Sequence, residues 1–143
     1  MFGFGLGFGT ADCDNCGDSE SGLAYDAHIG VFLNPRLALM FDLSGWYDSM
    51  NDVSLTLSSN TLAAQYWVLP QVWVKGGIGM ARATISDSSF SSDESGLGLT
   101  GGAGYEILQN GSFALDVGGR LNILNIKETS FTILNFTIGA RWK

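Results

Sequence analysis

Over the first nine residues apolar and glycine positions alternate without a break, with Phe2, Phe4, Leu6 and Phe8 on one side and Gly3, Gly5, Gly7 and Gly9 on the other. A period of two puts alternate side chains on opposite faces of a strand, whereas a helix would mix the two sets. The same period returns down the chain. Leu23, Tyr25, Ala27, Ile29, Val31 and Leu33 oppose Ala24, Asp26, His28, Gly30 and Phe32, and Leu37, Leu39, Phe41 and Leu43 oppose Ala38, Met40, Asp42, Ser44 and Trp46. Val72, Val74, Ile78 and Met80 face away from Trp73, Lys75, Gly77, Gly79 and Ala81, as Leu97, Leu99, Ala103, Tyr105 and Ile107 do from Gly98, Thr100, Gly102, Gly104 and Glu106. Two more strands set Phe113, Leu115, Val117, Leu121 and Ile123, then Leu134, Phe136, Ile138, Ala140 and Trp142, on apolar faces. The fourth segment breaks the rule. Val53, Leu55 and Leu57 are odd and Leu62, Ala64, Tyr66 and Val68 even, which predicts a bulge or longer loop at Ser58-Ser59-Asn60.

Eight strands in succession predict an antiparallel meander, and its two edges are hidden only if it closes into a ring. The links alternate in length. Those at 34–36, 69–71 and 109–112 carry the turn formers Asn-Pro, Pro and Asn-Gly, while those near 11–21, 47–52, 86–95 and 125–130 are longer and rich in Ser, Asp and Asn. Tight turns on one rim and long loops on the other is the arrangement of an all-β, eight-stranded antiparallel up-and-down transmembrane β-barrel, here a single domain over residues 1–143.

Composition decides which face points outward. Only 15% of the 143 residues are charged and 20 are glycine, and no apolar run approaches the roughly 18 residues a membrane-crossing helix needs. In a soluble, lipocalin-like barrel that binds an apolar small molecule, the Phe/Leu/Ile/Val face would point inward and the other face would meet water. That other face is mostly Gly, Ala, Ser and Thr, with charges limited to Asp26, Asp42, Lys75, Glu106, Asp116, Arg120 and Arg141. Soluble surfaces carry roughly 25–35% charge, whereas small side chains suit the crowded interior of an eight-stranded ring. The apolar face is therefore expected to meet lipid. With the N-terminus on the tight-turn rim, Phe2, Trp67, Tyr105, Phe113 and Trp142 fall near that rim and Phe8, Tyr25 and Tyr47 near the other, as two aromatic girdles.

The net charge of −7 opposes a nucleic-acid role, which relies on clustered Lys and Arg. Ten acids, Asp12, Asp14, Asp18, Glu20, Asp48, Asp52, Asp87, Asp93, Glu94 and Glu128, fall in stretches that read as loops, so the long-loop rim is expected to be acidic. The opening Met1-Phe2-Gly3-Phe4-Gly5 lacks the basic flank and continuous apolar stretch of a signal peptide, and an exported protein would be met here in its mature form.

The glycine-alternating first strand, Lys75-Gly76-Gly77-Ile78-Gly79 and the closing Phe136-Thr137-Ile138-Gly139-Ala140-Arg141-Trp142 resemble the small eight-stranded outer-membrane barrels, such as the OmpA transmembrane domain and OmpX. That family usually ends on an aromatic residue, whereas Lys143 follows Trp142 here. The resemblance implies a bacterial outer-membrane location, outer-membrane lipid and lipopolysaccharide as surroundings, and an extracellular or envelope protein partner engaged through the loops. Roles in envelope integrity, adhesion or serum resistance come with it.

The seven strand-face charges would share the lumen, and they can stay charged there only if paired. Their pairing reads as a network that fills and registers the barrel, or as the gate of a narrow ion path. Cys13-Asp14-Asn15-Cys16 lies in the first long loop; an exported protein most often oxidises such a pair, and a disulfide is expected, beside a calcium or other metal site or free thiols. Asp12 to Glu20 is similar to a calcium loop, but its fifth position is Cys16 and its twelfth Leu23. His28 is the only histidine. Lipid A deacylases share the architecture but place a His-x-Ser pair and a carboxylate on the lipid side, whereas His28 is followed by Ile29 and Gly30 and faces the lumen. No enzymatic activity, cofactor or bound metal is expected.

Overall fold

The computed structural model describes residues 1–13, 20–50, 53–87, 90–126 and 129–143. The elements are β1 (Phe2–Cys13), β2 (Glu20–Asn34), β3 (Leu37–Met50), β4 (Val53–Leu69), β5 (Val72–Asp87), β6 (Phe90–Asn110), β7 (Phe113–Ile126) and β8 (Thr129–Trp142), with no helix among the described residues. Each strand pairs antiparallel with the next, and β1 pairs with β8 from Phe2↔Trp142 to Cys13↔Phe131, so the ring is closed. Closure gives every strand a neighbour on each side, as backbone groups inside hydrocarbon require.

The three tight turns are Pro35-Arg36, Pro70-Gln71 and Gly111-Ser112. Asn34 Oδ1 accepts the backbone N–H of both Arg36 and Leu37 at 2.9 Å, a side-chain turn that fixes the first of them. Gly111 sits at φ 60°, in the left-handed region that glycine enters without a Cβ penalty. The register slips beside each turn, between Phe32 and Asn34, Trp67 and Leu69, and Glu106 and Leu108.

Two expectations about the other rim are corrected. The stretches read as long loops are largely strand: β5 runs to Asp87 and β6 starts at Phe90, and Asp12, Glu20, Asp48, Asp93 and Glu94 lie within strands. Their polar composition reflects a wall that continues beyond the hydrocarbon into water. Asp14, Asp18, Asp52, Glu128 and Cys16, and with Cys16 the disulfide and metal readings of Cys13-Cys16, lie outside the described residues. Nor does β4 bulge at Ser58-Ser59-Asn60, where its pairing with β3 and β5 is regular. Odd residues of β4 from Leu55 to Trp67 face the lumen. What changes at that height is the environment outside, from lipid to water, and the filling inside, from polar to apolar.

The apolar faces point outward. Phe4 and Leu39 are exposed, as are Leu6, Phe8, Ile29, Phe41, Leu62, Ile78, Met80, Phe136 and Ile138, while Asp42, Gln65, Glu106 and Arg141 are buried. This inverts a soluble fold and overturns the lipocalin-like alternative. From Val72 to Met80 the outward face of β5 is apolar or glycine, about 20 Å along the membrane normal at the usual strand rise and tilt. Arg82, Thr84 and Ser86 follow on the same face.

On the turn rim Trp142 stacks on Phe2 at 5.2 Å between centroids and meets Phe113 edge-on at 5.2 Å, and Tyr105 donates its hydroxyl to Gln71. Phe8 and Tyr47 are exposed near the opposite rim, and Tyr25 lies over Gly45. Trp67 does not belong to this girdle. It is 4% exposed, because its odd position on β4 turns it into the lumen with Gln65 and Ala63.

Candidate functional site

The described interior has three tiers. Nearest the tight turns, Glu106 is fully buried and accepts hydrogen bonds from Trp67 Nε1 at 2.8 Å, Arg141 at 3.0 Å, Lys143 Nζ at 2.9 Å and Gln109 Nε2. One carboxylate thus serves two cations and two neutral donors. The second terminal nitrogen of Arg141 meets Asp116 Oδ2 at 2.6 Å, and its guanidinium carbon lies 5.6 Å and 5.4 Å from the Trp67 and Trp73 rings. Flanking indoles favour a desolvated cation through their electron-rich faces.

In the middle tier Asp42 pairs with Lys75 and Arg120, each at 3.3 Å, and Arg120 reaches Asp26 at 3.7 Å. His28 joins the tiers: its Nε2 accepts from Arg141 Nε at 3.3 Å, and its Nδ1 lies 4.0 Å from Asp26 Oδ1. The seven lumen charges expected from the strand faces are all brought together, in two clusters bridged by the histidine. Short, shared contacts of this kind are what a low-dielectric interior demands, since an unpartnered charge costs several kcal/mol there, with about 3–5 kcal/mol lost on breaking a buried pair.

Asp26, His28 and Asp42 bring candidate ligand atoms within 4.8 Å of one another. The trio is nonetheless poorly suited to a cation. Arg141 donates to Nε2, which places the proton of a neutral imidazole on Nδ1 and leaves neither nitrogen free to ligate. Lys75 and Arg120 already neutralise the carboxylates. The partners of His28 are the Arg141 guanidinium and the Asp26 carboxylate.

The third tier is apolar. Above a Ser44–Ser59 hydroxyl pair at 2.8 Å, Trp46, Leu57, Leu124, Ile126 and Ile133 close together, with Trp46 Nε1 donating to the Gly9 carbonyl at 3.1 Å. The sequence reading missed this cluster, and also Gln109 and Lys143 as partners of Glu106. The signal for the cluster was present in the parity: Leu57, Leu124 and Ile133 occupy the same alternate positions as Thr61, Arg120 and Arg141.

The family model for the outer membrane protein beta-barrel domain matches residues 1–143. Comparison with curated proteins finds no match. Among solved structures the chain is similar to Neisserial surface protein A, with 20% identity, a TM-score of 0.71 and coverage of 99% of this chain and 96% of that one. Ail, the attachment invasion locus protein of Yersinia pestis, in complex with the heparin analogue sucrose octasulfate, gives 11% identity, a TM-score of 0.71 and the same coverage. The N-terminal β-barrel domain of Pseudomonas aeruginosa OprF gives 16%, 0.57 and 96% of each chain. At these identities the likeness to the solved structures is one of fold. With the apolar faces turned outward, a closed eight-stranded ring and a family match over the whole chain, this protein belongs to the outer-membrane protein β-barrel family and resides in the bacterial outer membrane.

Proposed function

We propose that the protein is a non-enzymatic membrane anchor whose lumen is plugged and whose acidic extracellular rim carries surface interaction or supports envelope integrity. The observation that carries this reading is the stacked interior, in which a paired ionic network lies beneath an apolar stopper of Trp46, Leu57, Leu124, Ile126 and Ile133. An ion crossing it would have to break buried pairs and then enter an apolar layer, and each step costs several kcal/mol. Asp12, Glu20, Asp48, Asp93 and Glu94 all lie toward the rim opposite the tight turns, so that rim suits a partner presenting basic groups, set among outer-membrane lipid and lipopolysaccharide. A sulfated sugar like the ligand of the Ail complex would meet like charge here.

Planar-bilayer recording of the refolded protein tests the plug: no steady conductance is expected, and steady unitary currents would favour the narrow-channel reading instead. In the same preparation lipid hydrolysis is expected to be absent from wild type and His28→Ala alike. Retention on immobilised polylysine but not on heparin would support the acidic rim as the contact surface, and the reverse would refute it.

A further inference from the structure

The two rims differ in charge, and the turn-side rim carries a pocket that shares Trp67, Gln109 and Lys143 with the plug. All four residues of the hairpin 34–37 and of the hairpin 69–72 lack an acid, as does the turn at Gly111-Ser112. Between the first two hairpins a cavity of about 510 Å³ opens beside the lumen mouth, lined by Phe32, Arg36, Trp67, Leu69, Gln109 and Lys143.

The pocket is held firmly. Asn34 fixes the backbone of Arg36, and the Arg36 carbonyl accepts the N–H of Trp67 at 2.8 Å, tying the β2–β3 turn to β4. Phe32 and Trp67 pack with ring centroids 5.4 Å apart, and Gln109 Nε2 donates to the Pro70 carbonyl at 2.9 Å. Arg36 is exposed and has no acidic partner among the described residues. Lys143 pairs with Glu106, but that carboxylate is shared with Arg141, Trp67 and Gln109. The cavity therefore presents one free guanidinium and one ammonium whose counter-charge is divided. Its lip is apolar: Leu69 is 60% exposed and continues the outward band of Tyr66 and Val68 down to the turn.

We infer that this pocket binds an anionic phospholipid of the periplasmic leaflet, with the phosphodiester between Arg36 and Lys143 and an acyl chain leaving over Leu69. Two features select this occupant over a soluble anion. The bases sit where the hydrocarbon band ends, which is the height of a headgroup phosphate, and the lip is continuous with the lipid-facing wall. Arginine supplies a fork suited to two phosphate oxygens, and lysine a point charge.

Native mass spectrometry of the folded full chain, released from micelles doped with phosphatidylglycerol or phosphatidylcholine, tests the site. Wild type is expected to retain one phosphatidylglycerol and little phosphatidylcholine. Arg36→Gln should weaken retention about fivefold, and Lys143→Gln by a further factor of about five. Arg82→Gln, on the opposite rim, should leave it unchanged. Leu69→Glu places an acid on the lip and should abolish the adduct while Arg36 is intact, so the test survives a folding defect in either base variant. Equal retention by wild type, R36Q and L69E would overturn the site. Equal retention of the two lipids would overturn charge recognition, and displacement of the lipid by millimolar inorganic phosphate would reassign the pocket to a free anion.

Discussion

Glu106 accepts hydrogen bonds from four side chains at once. Replacing it with Ala removes the partner of Arg141 and Lys143 at once and leaves a guanidinium between two indoles with Asp116 as its remaining carboxylate and His28 as its remaining neutral partner. Loss of about 3–5 kcal/mol is expected in urea unfolding from lipid vesicles, and Glu106→Gln, which keeps two hydrogen-bonding atoms but not the charge, should lose less. Glycines divide into two kinds on the same physical test. A Cβ at Gly7 would fall 1.8 Å from the Phe136 carbonyl oxygen, while at Gly76 the nearest atom is 4.0 Å away. Gly7→Ala should therefore cost about 1–3 kcal/mol by forcing β1 off β8, and Gly76→Ala should stay within about 0.5 kcal/mol, both read from the same unfolding curves.

Along each strand, position relative to the hydrocarbon edge matters more than residue type. On β5 the edge falls between Met80 and Arg82, and an arginine scan of the outward face should report it: Ile78→Arg is expected to cost about 2–4 kcal/mol and Thr84→Arg close to nothing. A flat profile would displace the edge. The same crossing explains what could be read from the chain and what could not. Inside the membrane the outward side is apolar and the inward side small or polar, so period two with a single sense gave the strands, their faces and the seven lumen charges. Past the edge the sense inverts. Leu55 and Leu57 turn inward to the stopper, while Thr56 and Ser58 meet water, and a chain read with one sense throughout mistakes that inversion for a bulge. Asp93 and Glu94 look like loop residues for the same reason, since a strand projecting into solvent loses its apolar face. Trp67 was misplaced by judging height alone; its parity, shared with Gln65, put it inside. The pairing partners of Glu106 were not legible at all, because Trp67, Gln109, Arg141 and Lys143 come from three strands and the end of the chain, and only the ring's shear sets which of them meet.

At the scale of the whole barrel, stability and topology are the same thing, because the wall has no second layer to support it. A chain cut after Ile126 would retain seven strands but lose both of the partners that β8 supplies, to β1 and to β7. Such a chain is expected to show no fast-migrating, heat-sensitive band on detergent gels, where the intact protein shows one; a compact band from the shortened chain would mean that seven strands can close. The seam between β1 and β8 is also what makes the ring closed. Gly3 lies opposite Arg141, so residues near the start of β1 are sealed by residues near the end of β8. Until β8 pairs with β1, the sheet has two raw margins with unmet hydrogen-bonding groups. Pairing of β8 with β1 therefore acts as a clasp, converting an aggregation-prone ribbon into a finished cylinder.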